Sequence, residues 1–297
     1  MKRMARGLLA LLIVSLTLTA AAALVAGEWL TRPVRHVIGP PPAGLLAEEV
    51  RLPVTSDQAI AGWFLPGRPG EGAMLLLHGV RSNRLQMLAR ARWLQQEGIA
   101  SLLVDLPAHG ESDGGRIGFG RLEAPAVDAA LAWLRTRCPG ERLGGLGVSL
   151  GGASLLFATR QPELDALVIE SVYPSFDAAV RNRLAMRLGT PVARALTPMM
   201  LAQAPWRLGF STEQLRPRDA IRALQAPLFV ASGVEDRHTP WPETQALFAA
   251  AAGPKTLMPV AGAAHVDLHA FDAQAYEARL GPWLHRALRR ATLKSSG

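Results

Sequence analysis

The stretch Leu143-Gly144-Gly145-Leu146-Gly147-Val148-Ser149-Leu150-Gly151-Gly152 decides the fold. It places a G-x-S-x-G pattern between an apolar strand and a helix predicted over 152–160. A serine on so sharp a strand-to-helix turn has a strained backbone, and side chains two positions to either side would collide. The helix that follows directs its amino end at Ser149 and favours negative charge there. The position favours a nucleophilic serine over the other interpretation, a glycine-rich turn with a bystander serine.

Short apolar runs alternate with helical periodicity on both sides of this stretch. Such continuous apolar strands are buried on both faces, which predicts a mostly parallel sheet covered by helices. Two short strands, 49–54 and 60–65, are expected to pair antiparallel. The other predicted strands are 74–77, 100–104, 143–148, 166–169, 228–231 and 256–260, and the other predicted helices are 85–97, 122–137, 244–252 and 273–290. Ligands bind at the carboxyl ends of such strands, so functional residues are expected there.

Two strand ends carry the partners that a serine nucleophile needs. Asp236 follows the strand 228–231, and His265 follows the strand 256–260. The chain order serine, acid, histidine is the order expected for this turn. A serine hydroxyl is a weak nucleophile, so a histidine must take its proton and a carboxylate must orient the imidazole. We therefore predict Ser149, Asp236 and His265 as catalytic residues.

Other side chains compete for the acid and base roles. Glu235 precedes Asp236, but the spacing from the strand favours Asp236. His238 lies in the same loop as the acid and could not easily face it across the site. His269 falls four residues after His265, and we expect it to be a solvated neighbour.

A backbone N–H from the loop after the strand 74–77 is expected to complete an oxyanion hole. This loop begins His78-Gly79-Val80. The predicted donors are the N–H groups of Val80 and Leu150. The imidazole of His78 is expected to hold the loop.

The loop from Asp105 to Ser112 also contains an aspartate, a histidine and a serine. Three residues so close in sequence rarely form a triad on different strand ends, so we interpret the loop as structural. His109 and Ser112 are expected to bond the backbone of their own loop.

Together these motifs resemble the α/β-hydrolase superfamily, and the similarity is greatest to its serine aminopeptidase-like and monoacylglycerol-lipase-like branch. The matching motifs, within about residues 48–290, are His78-Gly79, Asp105…His109-Gly110-x-Ser112, Gly147-Val148-Ser149-Leu150-Gly151-Gly152, Gly233-x-x-Asp236 and Gly262-x-x-His265. The resemblance implies an α/β-hydrolase fold with a mostly parallel, eight-stranded sheet flanked by helices. It also implies a triad of Ser149, Asp236 and His265 that hydrolyses an ester, amide or thioester through an acyl-enzyme.

A long insertion follows the strand 166–169. Residues 175–215 are apolar and interrupted by prolines, and they predict a cap of two or three short helices above Ser149. Methionine-rich helices adapt to flexible chains, so substrate contacts are expected from Met186, Met199 and Met200. Packing of the cap onto the sheet would require the same residues. Four arginines either bind a substrate carboxylate or form a solvated face: Arg181, Arg183, Arg187 and Arg194.

The amino-terminal segment is predicted to target the protein to a membrane. Residues 7–27 carry no charge and would form a helix about 30 Å long, the thickness of a bilayer core. Basic residues precede this run, so the positive-inside rule places the following chain on the non-cytoplasmic side. The run is longer than the ~7–15 residue core of a signal peptide, which favours an uncleaved transmembrane signal anchor. The alternative is a signal peptide cleaved near 21–23 or after Gly27, which would leave a secreted protein.

The rest of the chain divides into a linker, a domain and a tail. The linker, 28–47, contains Pro40-Pro41-Pro42, which forbids a continuing helix. The hydrolase-like domain is expected over 48–290 and a carboxyl-terminal tail over 291–297.

Composition excludes several classes of protein. The 297 residues are 49% hydrophobic and 19% charged, which excludes a disordered chain. Cys138 is the single cysteine, so neither a disulfide framework nor a cysteine-cluster metal site is available. The net charge of +8 comes mostly from scattered arginines, so no nucleic acid partner is expected. The histidines lack a spacing such as H-E-x-x-H, so neither metal nor cofactor is expected.

The sequence thus predicts a membrane-anchored serine hydrolase that cleaves a small or medium carboxylic ester. An aminopeptidase or amidase is the first alternative, but it needs an acidic group for the substrate ammonium, and the cap is basic. An acyltransferase using the same acyl-enzyme follows, and then a non-catalytic binding protein with this fold. No feature of the sequence indicates an oligomeric state.

Overall fold

The structure, a computed structural model, describes residues 2–289. Arg290, the last residue of the predicted final helix, and the predicted tail 291–297 lie outside the described residues. The strands are β1 Val34–Arg35, β2 Glu48–Pro53, β3 Ala59–Leu65, β4 Ala73–Leu77, β5 Ala100–Val104, β6 His109–Gly110, β7 Leu143–Val148, β8 Ala166–Glu170, β9 Leu228–Gly233 and β10 Lys255–Val260. The α-helices are α1 Lys2–Thr31, α2 Leu88–Glu97, α3 Ala124–Arg137, α4 Leu150–Phe157, α5 Phe176–Leu188, α6 Thr190–Leu201, α7 Ala204–Leu208, α8 Pro217–Ala220, α9 Trp241–Ala250, α10 Leu268–Phe271 and α11 Ala273–Leu288.

Eight strands form one sheet in the order β10-β9-β8-β7-β4-β5-β3-β2. Of these, β3 alone runs against the others, because it pairs antiparallel with both β2 and β5. Every residue of β4, β5, β7 and β8 is buried, which explains why these strands read as continuous apolar runs. The predicted fold, a mostly parallel eight-stranded sheet flanked by helices, is confirmed.

Two apolar layers cover the two faces of this sheet. Along β4, Leu75 and Leu77 pack in the layer under α3 and α4, whereas Met74 and Leu76 pack in the layer under α2 and α11. This alternation is the period of two that a strand imposes. Full burial of each such side chain contributes about 1.5–3 kcal/mol, so the central strands are the most strongly held part of the sheet.

Two glycines in β7 leave space for their neighbours. A Cβ on Gly144 would collide with the sulfur of Met74, and one on Gly145 would collide with a methyl group of Leu155. Glycine is a weak strand former, but β7 is hydrogen-bonded on both sides, to β4 and to β8. Tertiary pairing therefore outweighs local propensity at the strand that leads to Ser149.

The insertion between β8 and β9 contains the helices α5, α6 and α7. They enclose a small core of their own, which includes Phe176, Val180 and Leu208. We call residues 175–215 the cap. The asparagine of α5, Asn182, donates to the backbone carbonyl of His238 at 3.2 Å, so the cap rests on the loop after β9.

Helix α1 continues past residue 27, where the linker was expected to begin, and ends at Thr31. Pro33 is the first residue that lacks a backbone donor, and it restricts the residue before it, so the helix stops there. Just beyond, β1 pairs in parallel with β6, with Val34 opposite His109. The start of the expected linker is therefore fixed to the body of the protein.

Candidate active site

Ser149 occupies the turn between β7 and α4 with φ +49°. That value lies in the left-handed region, which is costly for any residue other than glycine. A Cβ on Gly147 would collide with the Gly152 nitrogen, and one on Gly151 would collide with the Leu77 carbonyl oxygen. Collisions on both sides of the serine are what the sequence pattern predicted. The turn is held by the Ser149 N–H, which donates to the Glu170 carbonyl at 2.8 Å.

His265 is bonded to Asp236 through its Nδ1 atom, 2.7 Å from Oδ2 of the carboxylate. An ionised carboxylate only accepts, so Nδ1 carries the proton and Nε2 is left as an acceptor. The other oxygen of Asp236 accepts the N–H groups of His238 at 2.7 Å and Thr239 at 2.9 Å. The side chain of Asp236 is buried, whereas that of His265 is 22% exposed. This geometry presents a correctly protonated imidazole at the surface of the site.

The pKa of Asp236 lies below its usual range. Burial of the carboxyl opposes ionisation, but the hydrogen bond from His265 and the N–H groups of Thr239 and His238 outweigh it. Asp236 therefore stays negative and can stabilise an imidazolium.

Backbone bonds hold the strand ends together. The N–H of Val234 donates to the Val260 carbonyl and that of Glu235 donates to the Ala263 carbonyl, each at 3.0 Å. These bonds bring the loop after β9 against the loop after β10 and explain the contact between Asp236 and His265. Ser149 follows β7 and so lies at the carboxyl ends of the same parallel strands. Within residues 2–289, its hydroxyl makes no hydrogen bond to His265. Such bonds tighten in complexes with substrate.

The competing acid and one competing base lie beside this pair. The side chain of Glu235 is exposed. The ring of His238 has its centroid 4.7 Å from that of His265. Burial and the neighbouring His265 lower the pKa of His238. The ring of His238 thus lies beside that of His265, and it is the backbone N–H of His238 that is bonded to Asp236.

The expectation that His269 is a solvated neighbour is wrong. Its residue is 6% exposed, and its Nε2 lies 2.8 Å from Oε1 of Glu277. The ring packs against Trp93 and Tyr276 because α10 lies between α2 and α11. The sequence analysis did not predict this short helix, α10.

The N–H groups of the loop after β4 differ in whether they have a hydrogen-bond partner. Gly79 donates to Oε1 of Gln86 at 2.8 Å, and Arg81 donates to Nε2 of His109 at 3.0 Å. The N–H between them, of Val80, has no hydrogen-bond partner within the described residues. Leu150 is the first residue of α4, where a helix leaves its N–H free. Both predicted oxyanion donors are thus available.

His78 and His109 are held neutral by their partners. In each ring Nδ1 lies against a backbone carbonyl, Gly79 at 2.7 Å and Pro107 at 2.9 Å. In each ring Nε2 accepts a backbone N–H, from Leu106 and Arg81 respectively, at 3.0 Å. Protonation would turn that acceptor into a donor facing a donor. Burial lowers the pKa of both histidines to about 4, and the structural role expected for each is confirmed.

The rest of this loop is also structural. Asp105 forms a buried ion pair with Arg84 at 2.5 Å and accepts the N–H groups of Arg84 and Glu111. Burial raises the pKa of Asp105 in spite of these bonds. Ser112 donates to the Asp105 carbonyl at 2.6 Å and accepts from the Ala61 N–H. The expected bonding of Ser112 to its own loop is confirmed.

A buried network behind the site was missed by the sequence reasoning. Arg90 is fully buried and pairs with Glu170 at 2.7 Å and Asp267 at 2.9 Å. The hydroxyl of Tyr276 donates to Glu170 at 2.5 Å. Glu170 holds the Ser149 turn through its carbonyl, and Asp267 follows His265 by two residues, so the network joins both segments. A charged residue directly after the apolar strand 166–169 was the one available signal.

Asp236, His238 and His265 could also be considered as metal ligands, since ligand atoms of the three lie within 4.8 Å of one another. Both oxygens of Asp236 already accept hydrogen bonds, one of them from His265 itself. A shared ion would replace that hydrogen bond. The donor set fits imidazole orientation better than metal coordination.

The three methionines proposed for substrate contact lie in different places. Met200 lines a pocket of about 20 Å³ with Phe119 and Phe176, which is room for little more than a water molecule. Met186 is exposed near the end of α5, and Met199 is half-buried on α6. Arg183 is half-buried on α5 and lies close enough to Asp236 for the two charges to interact; burial lowers its pKa.

Comparison with known proteins places this chain in a family. Residues 68–218 match the family described as serine aminopeptidase, S33. This chain belongs to that family, and it is a hydrolase with the α/β-hydrolase fold.

The chain is also similar to bacterial proteins and to solved esterases. It is 25% identical over 255 residues to the uncharacterized protein YfhR of Salmonella typhi, covering 79% of each chain. Similarity to the Pyrococcus furiosus esterase Pf2001 has a TM-score of 0.69 at 21% identity, covering 87% of this chain and 98% of that chain. Similarity to acetyl xylan esterase 1 from Thermoanaerobacterium has a TM-score of 0.65 at 12% identity, covering 90% and 93%.

Proposed function

We propose that this protein is a serine hydrolase that cleaves a small or medium carboxylic ester. The observation that carries the proposal is a serine in a strained turn at a helix amino end, with a carboxylate-bonded imidazole at the same sheet edge. The esterase folds to which the chain is similar support ester hydrolysis in general. Its catalytic residues are Ser149, His265 and Asp236.

The chemistry follows from the atoms available. Oγ of Ser149 attacks the ester carbonyl carbon while Nε2 of His265 takes its proton. The N–H groups of Val80 and Leu150 bind the oxyanion, and Asp236 stabilises the imidazolium. His265 then protonates the leaving alcohol as the carbon–oxygen bond breaks, which leaves an acyl-enzyme. Water, deprotonated by His265, attacks this acyl group and releases the carboxylic acid and free Ser149.

The charge around the site favours an ester over a peptide amino terminus. Arg183 is close enough to Asp236 for the two charges to interact, and Arg181 lies 3.9 Å from Glu243 on α9. That carboxylate also accepts from Asn182 at 2.9 Å. A substrate ammonium would therefore lie near arginine side chains, and the Glu243 carboxylate close by already accepts a hydrogen bond from Asn182. We expect aminoacyl nitroanilides to be cleaved far more slowly than nitrophenyl esters.

Labelling with a fluorophosphonate tests the nucleophile. We expect the wild type to be labelled and Ser149→Ala to remain unlabelled while keeping its circular dichroism spectrum. Ser154→Ala is the matched control, because Ser154 is buried one turn later on α4 and bonds the Leu150 carbonyl. Labelling that persists in Ser149→Ala would remove Ser149 from its role. A chelator such as EDTA is expected to leave the ester hydrolysis rate unchanged.

We further propose that α1 is retained as a membrane anchor, with the hydrolase domain on the non-cytoplasmic side. Helix α1 is long and apolar enough to cross a membrane. Cleavage near residues 21–23 or after Gly27 would sever a helix whose last turns are bonded to the cap, through Gln203 to the Ala23 carbonyl. Intact mass measurement on protein from cell membranes tests this, since a cleaved chain would lack these residues.

A further inference from the structure

We propose that the cap docks on the surface of the membrane that holds α1, and that the active site takes ester-bearing amphiphiles from that surface. The docking rests on the membrane span proposed above for α1, together with the contacts and surface chemistry of the cap. The substrate class rests on the ester hydrolysis proposed above.

The cap is fixed to the last turns of α1. Gln203 donates to the Ala23 carbonyl at 3.0 Å, and Arg207 donates to the Leu24 carbonyl at 2.7 Å. Arg207 also forms an ion pair with Glu28. A Cβ on Gly27 would collide with Oε1 of Gln203, so the two elements touch without a gap.

These contacts set the depth of the cap. The uncharged segment ends at Gly27, and Glu28 is the first charged residue after it. At ~1.5 Å per residue, the Ala23 and Leu24 carbonyls lie about 4–6 Å inside the end of that segment. Side chains bonded there belong to the junction of α6 and α7. With α1 across a bilayer, that junction lies among the lipid headgroups.

The outward face of α6 has the composition that this depth requires. Its exposed positions include Val192, Ala195 and Pro198, and Arg194 is the single charged residue of the helix. Leu188 is exposed at the end of α5, just before α6. On α7, Trp206 is 62% exposed, and the Arg207 guanidinium lies 4.3 Å from the centre of its ring. An apolar face bordered by tryptophan and arginine is typical of elements that lie in a membrane interface.

The cations of the same face fit anionic lipid. The side chains of Arg187 and Arg194 are exposed, and neither forms an ion pair within residues 2–289. Basic residues next to a bilayer are attracted by anionic headgroups. The alternative occupant, a second copy of the chain, would shield the same apolar residues from lipid, which an experiment can detect.

The position of the cap links this surface to the reaction. Helix α5 contacts the loop of Asp236 through Asn182, and the next helix, α6, carries the proposed membrane face. The proposed membrane face and the candidate active site are thus joined through the cap, and we expect an ester that leaves the bilayer at α6 to reach Ser149 across it. A substrate with an apolar tail in the membrane fits this path.

Fluorescence depth measurement tests the docking. The full chain, with Cys138→Ala, would carry the probe NBD on Val192→Cys in nanodiscs of equimolar phosphatidylcholine and phosphatidylglycerol, at one chain per disc. Val192 is 45% exposed on α6. The control is Thr136→Cys. Thr136 is exposed in the last turn of α3, which leads to the amino end of β7, whereas Ser149 follows the carboxyl end of that strand. We expect blue-shifted emission and quenching by nitroxide-labelled lipid at position 192, and neither at position 136.

Three outcomes overturn the docking. Aqueous emission at both positions would show that the cap stands away from the lipid. Equal lipid quenching at both positions would show unspecific insertion. A blue-shifted probe at 192 that lipid nitroxides do not reach would show that protein, rather than lipid, covers the face.

An activity comparison tests the substrate class. The double substitution Leu188→Asp/Val192→Asp is expected to lower the rate on 4-methylumbelliferyl decanoate in vesicles by about tenfold or more, through lost interfacial binding. The rate on soluble 4-methylumbelliferyl acetate is expected to stay unchanged, and Thr136→Asp should change neither rate. Unchanged rates on both esters, or equal losses on both, would overturn the substrate class. If the wild type cleaved neither ester, the proposed hydrolysis would fail, while the fluorescence result would still stand.

Discussion

Two clusters of this protein contain an aspartate, a histidine and a serine, and they differ in how many of their polar atoms are already bonded. In the loop 105–112, both nitrogens of His109 have backbone partners, and Asp105 is paired with buried Arg84. At the candidate active site, His265 uses one nitrogen on Asp236 and keeps the other for a reacting group. Residue type is the same in both clusters. The remaining hydrogen-bonding capacity separates a structural cluster from a reactive one.

Removing the charge of Asp236 tests the reactive cluster and has the largest expected effect. Asp236→Asn would favour the other tautomer of His265, with the proton on Nε2. We expect kcat for a nitrophenyl ester to fall about 10⁴-fold, the cost of a wrong tautomer in such a triad. A loss below about tenfold, with the fold intact, would contradict the role of Asp236.

The equivalent change in the structural cluster should affect stability instead. Asp105→Asn leaves buried Arg84 with a weaker partner, and breaking a buried pair costs about 3 kcal/mol or more. Urea unfolding would measure this loss. The rate per folded molecule should stay near that of the wild type at low temperature, and a selective loss of kcat would contradict a structural role.

Acid should weaken the structural cluster through His78 and His109. Their pKa values are about 4 in the folded protein, below the ~6.5 of an unfolded histidine. Their contribution to stability is therefore complete above about pH 6.5 and is lost as the pH falls towards 4, up to about 3 kcal/mol per ring. Unfolding free energies measured across this range should show the loss.

His109→Gln is the control for this pH dependence, because glutamine keeps an acceptor for the Arg81 N–H but does not titrate. The variant should lose a smaller part of its stability on acidification than the wild type does. An identical pH dependence in both proteins would assign the loss to other groups.

The smallest expected effect is at His238, the second imidazole near Asp236. Its ring contacts that of His265. Within the described residues, however, the His238 ring makes no hydrogen bond to the Asp236 carboxylate, whereas the His265 ring does. His238→Ala should lower kcat/KM by less than about tenfold, since loss of a general base costs about 10²-fold or more. A larger loss, with His265→Ala remaining active, would reverse the assignment of the base.

Local sequence was sufficient for the sheet and for the turn of Ser149. The runs 100–104 and 143–148 match β5 and β7 residue for residue, because buried parallel strands are continuous and apolar. The need for glycine around Ser149 could also be predicted, because a Cβ at any of these positions would collide with backbone atoms close by in the chain or in the next strand.

Contacts between distant segments were beyond the same reasoning. Nothing near Arg90 in the sequence indicates partners 80 and 177 residues away, Glu170 and Asp267. Burial of His269 depends on the packing of α2 and α11, which periodicity does not fix. The contact of α1 with the cap joins residues about 180 apart, Ala23 and Gln203. In each case a polar group is paired only once the whole domain has formed.

The short pairing of β1 with β6 has a mechanical consequence. Val34 donates to the Ala108 carbonyl at 2.8 Å and His36 donates to the Gly110 carbonyl at 3.1 Å, directly after α1 ends. A tensile load transmitted along α1 is thus opposed in shear by bonds on either side of His109. Because His109 holds the Arg81 N–H, the part of such a force that passes the contacts between α1 and the cap reaches the loop that presents Val80.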